Sequence, residues 1–161
     1  ATTTTQDAEG EVVEEREGGS LADEAIEAAF EKYSGNFEQI PPMVSAIKKD
    51  GVPLYKLARK GKEVKRDPRP VYVTDYELTR VSLPEIDFTV NCSKGFYVRS
   101  YAHDIGATLE CGGHLSALRR TRSGEFTLER AVGVEALKSG GAEELISSMV
   151  SLAEISLMRG A

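Results

Sequence analysis

The sequence has few cysteines, few histidines and no long hydrophobic run. Its two cysteines, Cys92 and Cys111, lie far apart and no signal-peptide pattern precedes them, which excludes the disulfide scaffold of a small secreted domain. Around His103, Cys111 and His114 there is one short pair of metal ligands, whereas a structural zinc needs four ligands in paired spacing. The apolar stretches are far shorter than the roughly 20 residues that cross a bilayer. We therefore expect a soluble, cytoplasmic protein that does not insert into a membrane.

Charge is distributed unevenly along the chain. The net charge is −6, yet residues 1–31 hold ten acidic residues and one basic residue, and residues 43–70 hold nine basic and three acidic residues. The acidic region is expected to face solvent or protein. The basic region is expected to bind a polyanion.

A chain of 161 residues, 40% hydrophobic and 29% charged, has the length and composition of one globular domain. Apolar residues that alternate predict strands, and those spaced by three and four predict helices. Because strands and helices are mixed without a regular βαβ rhythm, the pattern favours an α+β fold. The predicted helices are 21–33, 54–60, 98–109, 134–137 and 143–152, and the predicted strands are 71–81, 86–92 and 114–122.

Two local signals set boundaries within this pattern. Ser20, with Asp23 three residues later, predicts the N-cap of the first helix. The pairs Pro41-Pro42 and Asp50-Gly51 predict that residues 36–53 form a long exposed loop. Loops of that length commonly carry a function.

Two short segments hold the side chains best placed for chemistry. Residues 92–99 read Cys-Ser-Lys-Gly-Phe-Tyr-Val-Arg, and residues 118–124 read Leu-Arg-Arg-Thr-Arg-Ser-Gly. The first segment leaves a predicted strand and enters a predicted helix, so Tyr97 and Arg99 lie at a junction where side chains reach a ligand. Taken singly, Tyr97 is typical of a core aromatic, Arg99 of a surface ion pair and Leu118 of the core.

The order and spacing of many residues are more specific than any one of them. They are Thr3, Thr5, Asp7, Glu9, Gly10, Gln39, Ile40, Pro41, Pro42, Ser45, Ala46, Lys48, Gly51, Leu54, Tyr55, Leu57, Ala58, Arg59, Gly61, Arg69, Pro70, Cys92, Ser93, Lys94, Gly95, Tyr97, Arg99, Asp104, Gly106, Cys111, Gly112, His114, Leu118, Arg119, Arg120, Gly124 and Phe126. With these residues the chain resembles, nearly end to end, the bacterial TruB-type tRNA pseudouridine synthases.

The resemblance implies the pseudouridine synthase fold, a mixed or antiparallel sheet with flanking helices. Residues 1–161 would form part of one catalytic domain, without a C-terminal RNA-binding (PUA) domain. The implied partner is tRNA, through its T-arm stem-loop. In the family the loop uridine is flipped out, attacked by an Asp, detached from its sugar and rejoined through carbon, with no metal or cofactor.

The same resemblance implies roles for individual residues. Tyr97 resembles the tyrosine that stacks on the flipped base and is proposed to take the C5 proton. Arg99 resembles the arginine that pairs with the catalytic Asp and keeps it ionised, and Leu118 the apolar residue that lines the base pocket. The basic stretch from about residue 38 to 67 resembles the thumb that pinches the RNA hairpin. The residues predicted to contact RNA are Lys48, Lys49, Arg59, Lys60, Lys94, Arg119 and Arg120.

One part of the family pattern does not lie within this chain. The family's catalytic Asp belongs to a motif upstream of the Thr-Thr segment, at which this chain begins. We expect that Asp on an upstream segment, attached or supplied as a separate half. Asp7 resembles a residue of a different motif, and Asp104 follows Arg99 on a helix, so neither is assigned as nucleophile. Without that carboxylate Arg99 is expected to be a lone charge in a poorly solvated pocket, and the half-sheet to expose strand edges.

Two further functions fit some of the same residues. A non-catalytic RNA-binding or tRNA-folding module would keep the thumb and the pocket but lack the nucleophile. It differs from the enzyme only in needing no Asp-bearing segment, since both would bind tRNA in a salt-dependent way. Ser45 and Lys48 also match the Ser-x-x-Lys of penicillin-binding enzymes, but the Ser-x-Asn that such enzymes need lies before Ser45 in this chain.

Overall fold

The structure, a computed structural model, describes residues 1–16 and 20–158. The chain divides into two compact units, Ala1–Ala117 and Leu118–Ala161. Within the described residues the first unit contains the larger antiparallel sheet, and the second contains a short hairpin followed by short helices. Antiparallel strands flanked by helices confirm the predicted α+β class.

The first unit is built around a three-stranded sheet. The order of its strands is β3-β6-β7, and both pairings are antiparallel. In chain order its elements are β1 (Thr2–Thr3), β2 (Val12–Glu14), α1 (Asp23–Lys32), β3 (Gly35–Gln39), β4 (Lys48–Lys49), β5 (Val52–Pro53), α2 (Leu54–Ala58), β6 (Arg69–Ser82), β7 (Glu85–Cys92) and α3 (Val98–Thr108).

Helices α1 and α3 bury their apolar faces together with the sheet. Phe30 of α1 lies at the centre of this core, with its ring centroid 5.2 Å from Phe88 of β7 and 5.7 Å from Tyr101 of α3. Val73 of β6 and Ile105 of α3 belong to the same buried cluster. Rings in edge-to-face contact add to the free energy gained by burial alone. This core fixes the position of α3, whose first turn carries the candidate site.

The predicted N-cap of the first helix and the predicted start of the long loop were wrong. Helix α1 begins at Asp23 with Ala22 as its N-cap and without a side-chain cap, so Ser20 does not have the predicted role. Residues 35–39 form strand β3 rather than the start of a loop, because their backbone pairs with residues 69–73 of β6. Strand pairing between segments this far apart in sequence leaves only a weak local signal.

The predicted loop is also less exposed than expected. Gln39, Pro41, Pro42 and Ser45 are buried, although Asn36, Glu38 and Ile40 are exposed. The predicted strand at 114–122 is likewise replaced by extended chain, in which Leu115 forms a single bridge to Asp7. From Ser116 onward that segment is exposed.

The second unit consists of short elements. They are β8 (Arg122–Ser123), β9 (Phe126–Thr127), a 3-10 turn at Leu128–Arg130, α4 (Val134–Ser139), α5 (Ala142–Ser148) and α6 (Leu152–Met158). The predicted helices at 134–137 and 143–152 correspond to α4 and α5, although α5 ends at Ser148. Among the described residues of the whole chain, no helix has the length and apolar content needed to span a membrane.

Candidate nucleic-acid site at the start of helix α3

Tyr97 lies at the junction between β7 and α3, as the sequence predicted. Between the two elements Gly95 adopts φ +88°, a backbone conformation that favours glycine. Tyr97 is the N-cap residue of α3, and its carbonyl accepts the amide of Tyr101 at 3.0 Å. Tyr97 is half-buried, and its hydroxyl has no hydrogen-bond partner among the described residues and is not buried. The end of this side chain is therefore accessible to a ligand.

A buried glutamine holds the backbone of Tyr97. Gln39, the last residue of β3, is 1% exposed, and its Oε1 accepts the Tyr97 amide at 2.8 Å. Its Nε2 donates to the Tyr97 carbonyl at 3.0 Å. The sequence alone did not indicate a role for Gln39. The signal that could have identified it is a polar residue in the inward register of a strand, two positions after Phe37.

Arg99 links three separate parts of the first unit. Its Nη1 donates to the carboxylate of Asp7 and to the carbonyl of Thr5, both at 3.1 Å. Its Nη2 donates to the carbonyl of Val44 at 2.6 Å. The prediction that Arg99 would be a lone charge was therefore wrong, because Asp7 supplies a carboxylate from a position 92 residues earlier in the chain.

Asp7 is held as an anion by its surroundings. Burial acts to raise the pKa of its carboxyl, but hydrogen bonds from Thr5 and from the Glu9 amide, together with the Arg99 guanidinium, outweigh burial and lower the pKa below 3.8. A depressed pKa means that the ionised carboxyl stabilises the fold at neutral pH. This stabilisation is lost as the pH falls from 3.8, the ordinary pKa of the group, through the lower pKa that the carboxyl has in the folded protein.

The basic insertion, residues 40–68, connects β3 to β6 and begins directly beside this site. It carries the hairpin β4–β5 and helix α2. A cleft of about 330 Å³ on the insertion and its flanks is lined by the basic residues Lys48, Lys49, Lys65, Arg66 and Arg69, by Asp50 and Asp67, and by Pro41, Ile47 and Leu54. The surplus of cations makes this cleft suited to an anion.

The predicted RNA contacts are distributed over both units. Lys48, Lys60 and Lys94 are exposed, and Arg59 lies over the ring of Tyr55 with 5.5 Å between its guanidinium carbon and the ring centroid. Lys49 is half-buried, since its ammonium donates to the carbonyl of Lys65 at 2.6 Å.

Three of the predicted site residues belong to the second unit. Leu118 is 63% exposed, and Arg119 and Arg120 are exposed as well. The pocket role of Leu118 and the RNA contacts of the two arginines stay predictions.

Acidic residues are concentrated on another surface of the first unit. On α1, Glu24, Glu27 and Glu31 are exposed, as predicted for the acidic region; Glu17 of that region lies outside the described residues. Within residues 1–16 and 20–158, no group of three or more His, Cys, Asp or Glu side chains is arranged to hold a metal ion.

The fold and the site define a class of protein. It is an α+β protein in which an accessible tyrosine side chain and a paired arginine lie beside a cationic insertion. This arrangement is suited to a polyanion that presents a flat ring, as a nucleic acid does.

The family model described as "TruB family pseudouridylate synthase (N terminal domain)" matches residues 1–98. A second, described as "tRNA pseudouridylate synthase B C-terminal domain", matches residues 99–157. The chain belongs to the TruB family of pseudouridylate synthases.

Individual relatives agree with this membership. A protein named "tRNA pseudouridine synthase B" from Syntrophotalea carbinolica is 47% identical over 153 residues, covering 95% of this chain and 50% of the relative. One of the same name from Opitutus terrae is 50% identical over 137 residues, covering 85% of this chain and 57% of the relative. The chain spans about half the length of the curated relatives that it matches.

A solved structure agrees at the level of the fold. One chain of the "Crystal Structure of a Cbf5-Nop10-Gar1 Complex" superposes with a TM-score of 0.60 at 28% identity, covering 81% of this chain and 37% of that chain.

Proposed function

We propose that the protein to which this chain belongs is a tRNA pseudouridine synthase that isomerises the uridine of the T-arm loop. The observation that carries the proposal is the arrangement at the start of α3, where the accessible side chain of Tyr97 lies two residues before an arginine already paired with a carboxylate. Family membership and the relatives named tRNA pseudouridine synthase B support the same reaction.

In the proposed reaction the uridine leaves its loop and stacks on Tyr97. Stacking on an aromatic face contributes ~1–3 kcal/mol per base, which offsets part of the free energy of unstacking. An Asp carboxylate bonds to C1′ as the C1′–N1 bond breaks, and the detached base turns. C5 then bonds to C1′ as the bond between C1′ and the Asp breaks, which frees the carboxylate. N1 takes the proton of the Tyr97 phenol, and the Tyr97 oxygen, which we assign as the acceptor, takes the proton that leaves C5. The product is an isomer, so no atoms are added or lost overall.

The nucleophile in this proposal comes from a segment outside residues 1–161. Arg99 retains the capacity to bind it. A guanidinium has five N–H donors, of which the Arg99 side chain uses three on Asp7, Thr5 and Val44. The Nε–H and one Nη2–H have no partner among the described residues, and two donors are enough for a second carboxylate.

The cations of the insertion would hold the tRNA by its phosphates. Lys48, Lys49, Arg59 and Lys60 belong to the insertion itself, and Lys94 precedes α3. We assign Arg119 and Arg120 as further phosphate contacts and Leu118 as an apolar wall of the base pocket. Such contacts position the RNA without reading its sequence. The site of action would be the cytoplasm, where tRNA is modified.

The test is release of tritium from C5-labelled uridine in a T-arm stem-loop. We expect release when the chain is combined with the upstream half of the family domain, and none by residues 1–161 alone. Release by these residues alone would mean that a carboxylate within them is the nucleophile. No release in either case, although the stem-loop binds, would favour a non-catalytic RNA-binding or tRNA-folding module.

One observation favours that second candidate. Asp7 is the acid that the structure places against Arg99, and its carboxylate is already bonded to Thr5, to the Glu9 amide and to Arg99. A carboxylate with its lone pairs engaged in this way is a weak nucleophile. A protein with no other Asp at this site would bind the RNA and leave the uridine unchanged.

Neutralising exposed lysines of the insertion should weaken tRNA binding across RNA sequences. With Lys48→Gln and Lys60→Gln together, the slope of log K against log salt should become shallower by roughly 1.4–1.8, at about 0.7–0.9 per phosphate contact. Lys49 is left intact because its ammonium holds the Lys65 carbonyl. The measurement is a salt titration of stem-loop binding by fluorescence anisotropy.

The matched control is Lys138→Gln, which removes an exposed lysine that pairs with Glu135 in α4. Its slope should equal that of the wild type. An unchanged slope in the double variant would show that Lys48 and Lys60 do not contact phosphate.

A further inference from the structure

Gln39 is buried with both ends of its amide bonded to a single residue. It accepts from the Tyr97 N–H and donates to the Tyr97 C=O, at 2.8 and 3.0 Å. The backbone of a neighbouring strand would make the same two hydrogen bonds to the N–H and C=O of one residue, and here a single side chain makes both. A buried amide with both hydrogen bonds made is strongly constrained, because a change of rotamer would leave polar atoms without partners.

The bonded residue is the one whose ring faces the proposed substrate. Tyr97 is an N-cap, so its own amide has no partner within the helix. Its carbonyl already begins the helical ladder at Tyr101. The Gln39 amide therefore sets the direction in which the Tyr97 Cα–Cβ bond leaves the backbone.

Gln39 directly precedes the insertion, and the first residues of the insertion bond to the same end of α3. The hydroxyl of Ser100 lies 3.1 Å from the carbonyl of Ile40, and the carbonyl of Val44 accepts from Arg99 at 2.6 Å. Three attachments, from Gln39, Ile40 and Val44, join this end of the insertion to the start of α3. Of these, only the Gln39 attachment is to Tyr97.

We propose that Gln39 is a positioning residue that fixes the Tyr97 ring for stacking and proton transfer, and so acts on turnover more than on RNA binding. The proposal rests on the function proposed above for Tyr97. The affinity for the T-arm comes from contacts with many phosphates, so replacing Gln39 should change that affinity little. The chemical step depends on sub-ångström placement of the ring, and misplacement by about 1 Å costs on the order of 100-fold in rate.

The first test removes the amide in the full-length protein. Gln39→Leu has a similar volume and no polar atoms, and it should lower kcat on the T-arm stem-loop by on the order of 10–100-fold with KM within about twofold. In the same variant the Tyr97 amide proton should exchange faster with solvent by NMR, whereas the Tyr101 amide, which bonds to the Tyr97 carbonyl, should stay protected. Ser100→Ala is the matched control, since it removes the buried hydroxyl that bonds to Gln6 and Ile40 from the same turn without touching the Tyr97 backbone.

The second test restores the bonding by protonation. In Gln39→Glu the protonated carboxyl can accept from the Tyr97 N–H and donate to its C=O as the amide does, whereas the ionised form cannot donate. The ratio of variant to wild-type kcat should therefore rise as the pH falls. A purely structural role for Gln39 would give a ratio that follows the fraction of folded protein, which far-UV circular dichroism measures at each pH.

A double-variant cycle tests the positioning role of Gln39 separately from the function of Tyr97. If Gln39 acts through Tyr97, then Gln39→Leu combined with Tyr97→Ala should be no slower than Tyr97→Ala alone. Additive losses, or an unchanged Tyr97 amide exchange rate, would overturn the positioning role and leave the function of Tyr97 intact. Full turnover by Tyr97→Ala would overturn the function assigned to Tyr97 and the positioning role with it.

Discussion

Replacing Arg99 with alanine is expected to lower turnover on a T-arm stem-loop by on the order of 10²–10³-fold, the cost of removing one preorganised charged donor from a site. Affinity for the RNA should change little, because the guanidinium bonds to Asp7 and to two backbone carbonyls. Without the Arg99 guanidinium, a second carboxylate has no donors to bind. Asp7 then keeps only the hydrogen bonds from Thr5 and from the Glu9 amide. Single-turnover tritium release and anisotropy binding measure the two quantities separately.

Two variants make the Arg99 result specific. Arg99→Lys keeps the positive charge but not the forked donor geometry, so it should recover little of the rate. Arg80→Ala is the matched control. Arg80 is also an arginine with acidic partners, Glu85 and Asp87, but it is half-exposed on the hairpin of β6 and β7 and should affect turnover by less than about twofold.

The Arg99 result must be measured on folded protein, since the side chain also joins the Thr5 and Val44 segments. Melting temperature and far-UV circular dichroism report the folded fraction of each variant. Turnover by folded Arg99→Ala within about threefold of the wild type would contradict the assignment of Arg99 to the reaction.

Gly106→Ala is expected to destabilise the first unit by about 1–3 kcal/mol, the range for inserting a methyl group into packed surroundings. Gly106 lies in α3, and a Cβ there would be 2.2 Å from the Gly113 nitrogen and 2.4 Å from the Gly113 Cα. Both atoms belong to the backbone, so the clash cannot be relieved by a side-chain rotation. An alanine inside a helix normally adds about 1 kcal/mol of stability over glycine, so a net loss would show the clash directly.

The same contact holds the segment that reaches the candidate site. Gly112 donates its amide to the Gly106 carbonyl at 2.9 Å, and Leu115 then bonds to Gln6 and Ala8 on either side of Asp7. We therefore expect Gly106→Ala to lower the melting temperature by roughly 2–12 °C and also to disturb the Asp7–Arg99 pair.

Gly133→Ala is the control for this change, because nothing lies within 4 Å of a Cβ added there. Its stability should stay within about 0.5 kcal/mol of the wild type. If Gly106→Ala melts at the wild-type temperature, residues 112–113 can move away from α3 at no cost in free energy, and the close packing inferred here would be wrong.

The strand–helix junction at Tyr97 and Arg99 could be predicted because its signals are local. Residues 86–92 alternate and residues 98–109 repeat at helical spacing, so the junction that carries Tyr97 and Arg99 follows from neighbours in the chain. The basic stretch and the acidic helix α1 are equally local, since a run of like charges is visible in the sequence without knowledge of the fold. The helices α4 and α5 were found for the same reason.

Apart from the N-cap of α1, the main errors concern features that depend on distant residues. Strand β3 exists because residues 35–39 pair with residues 69–73, and little in the short segment itself distinguishes it from a loop. Burial of Pro41 and Pro42 follows from the same pairing, which brings the start of the insertion against α3. The predicted strand at 114–122 has a strand-like sequence but lacks a pairing partner. Leu115 forms one bridge, and the other residues before Arg122 pair with no strand among the described residues.

The sequence by itself determined the family, the α+β class, the charge distribution and the position of Tyr97 and Arg99 at a strand–helix junction, because these depend on residue identity and short-range periodicity. The tertiary structure decided the partners of those residues. Asp7 reaches Arg99 across 92 positions and Gln39 reaches Tyr97 across 58, and both contacts require the folded sheet and α3 to be in place. Hydrogen bonds and ion pairs are short-range in space and indifferent to separation along the chain, so only the fold could reveal them.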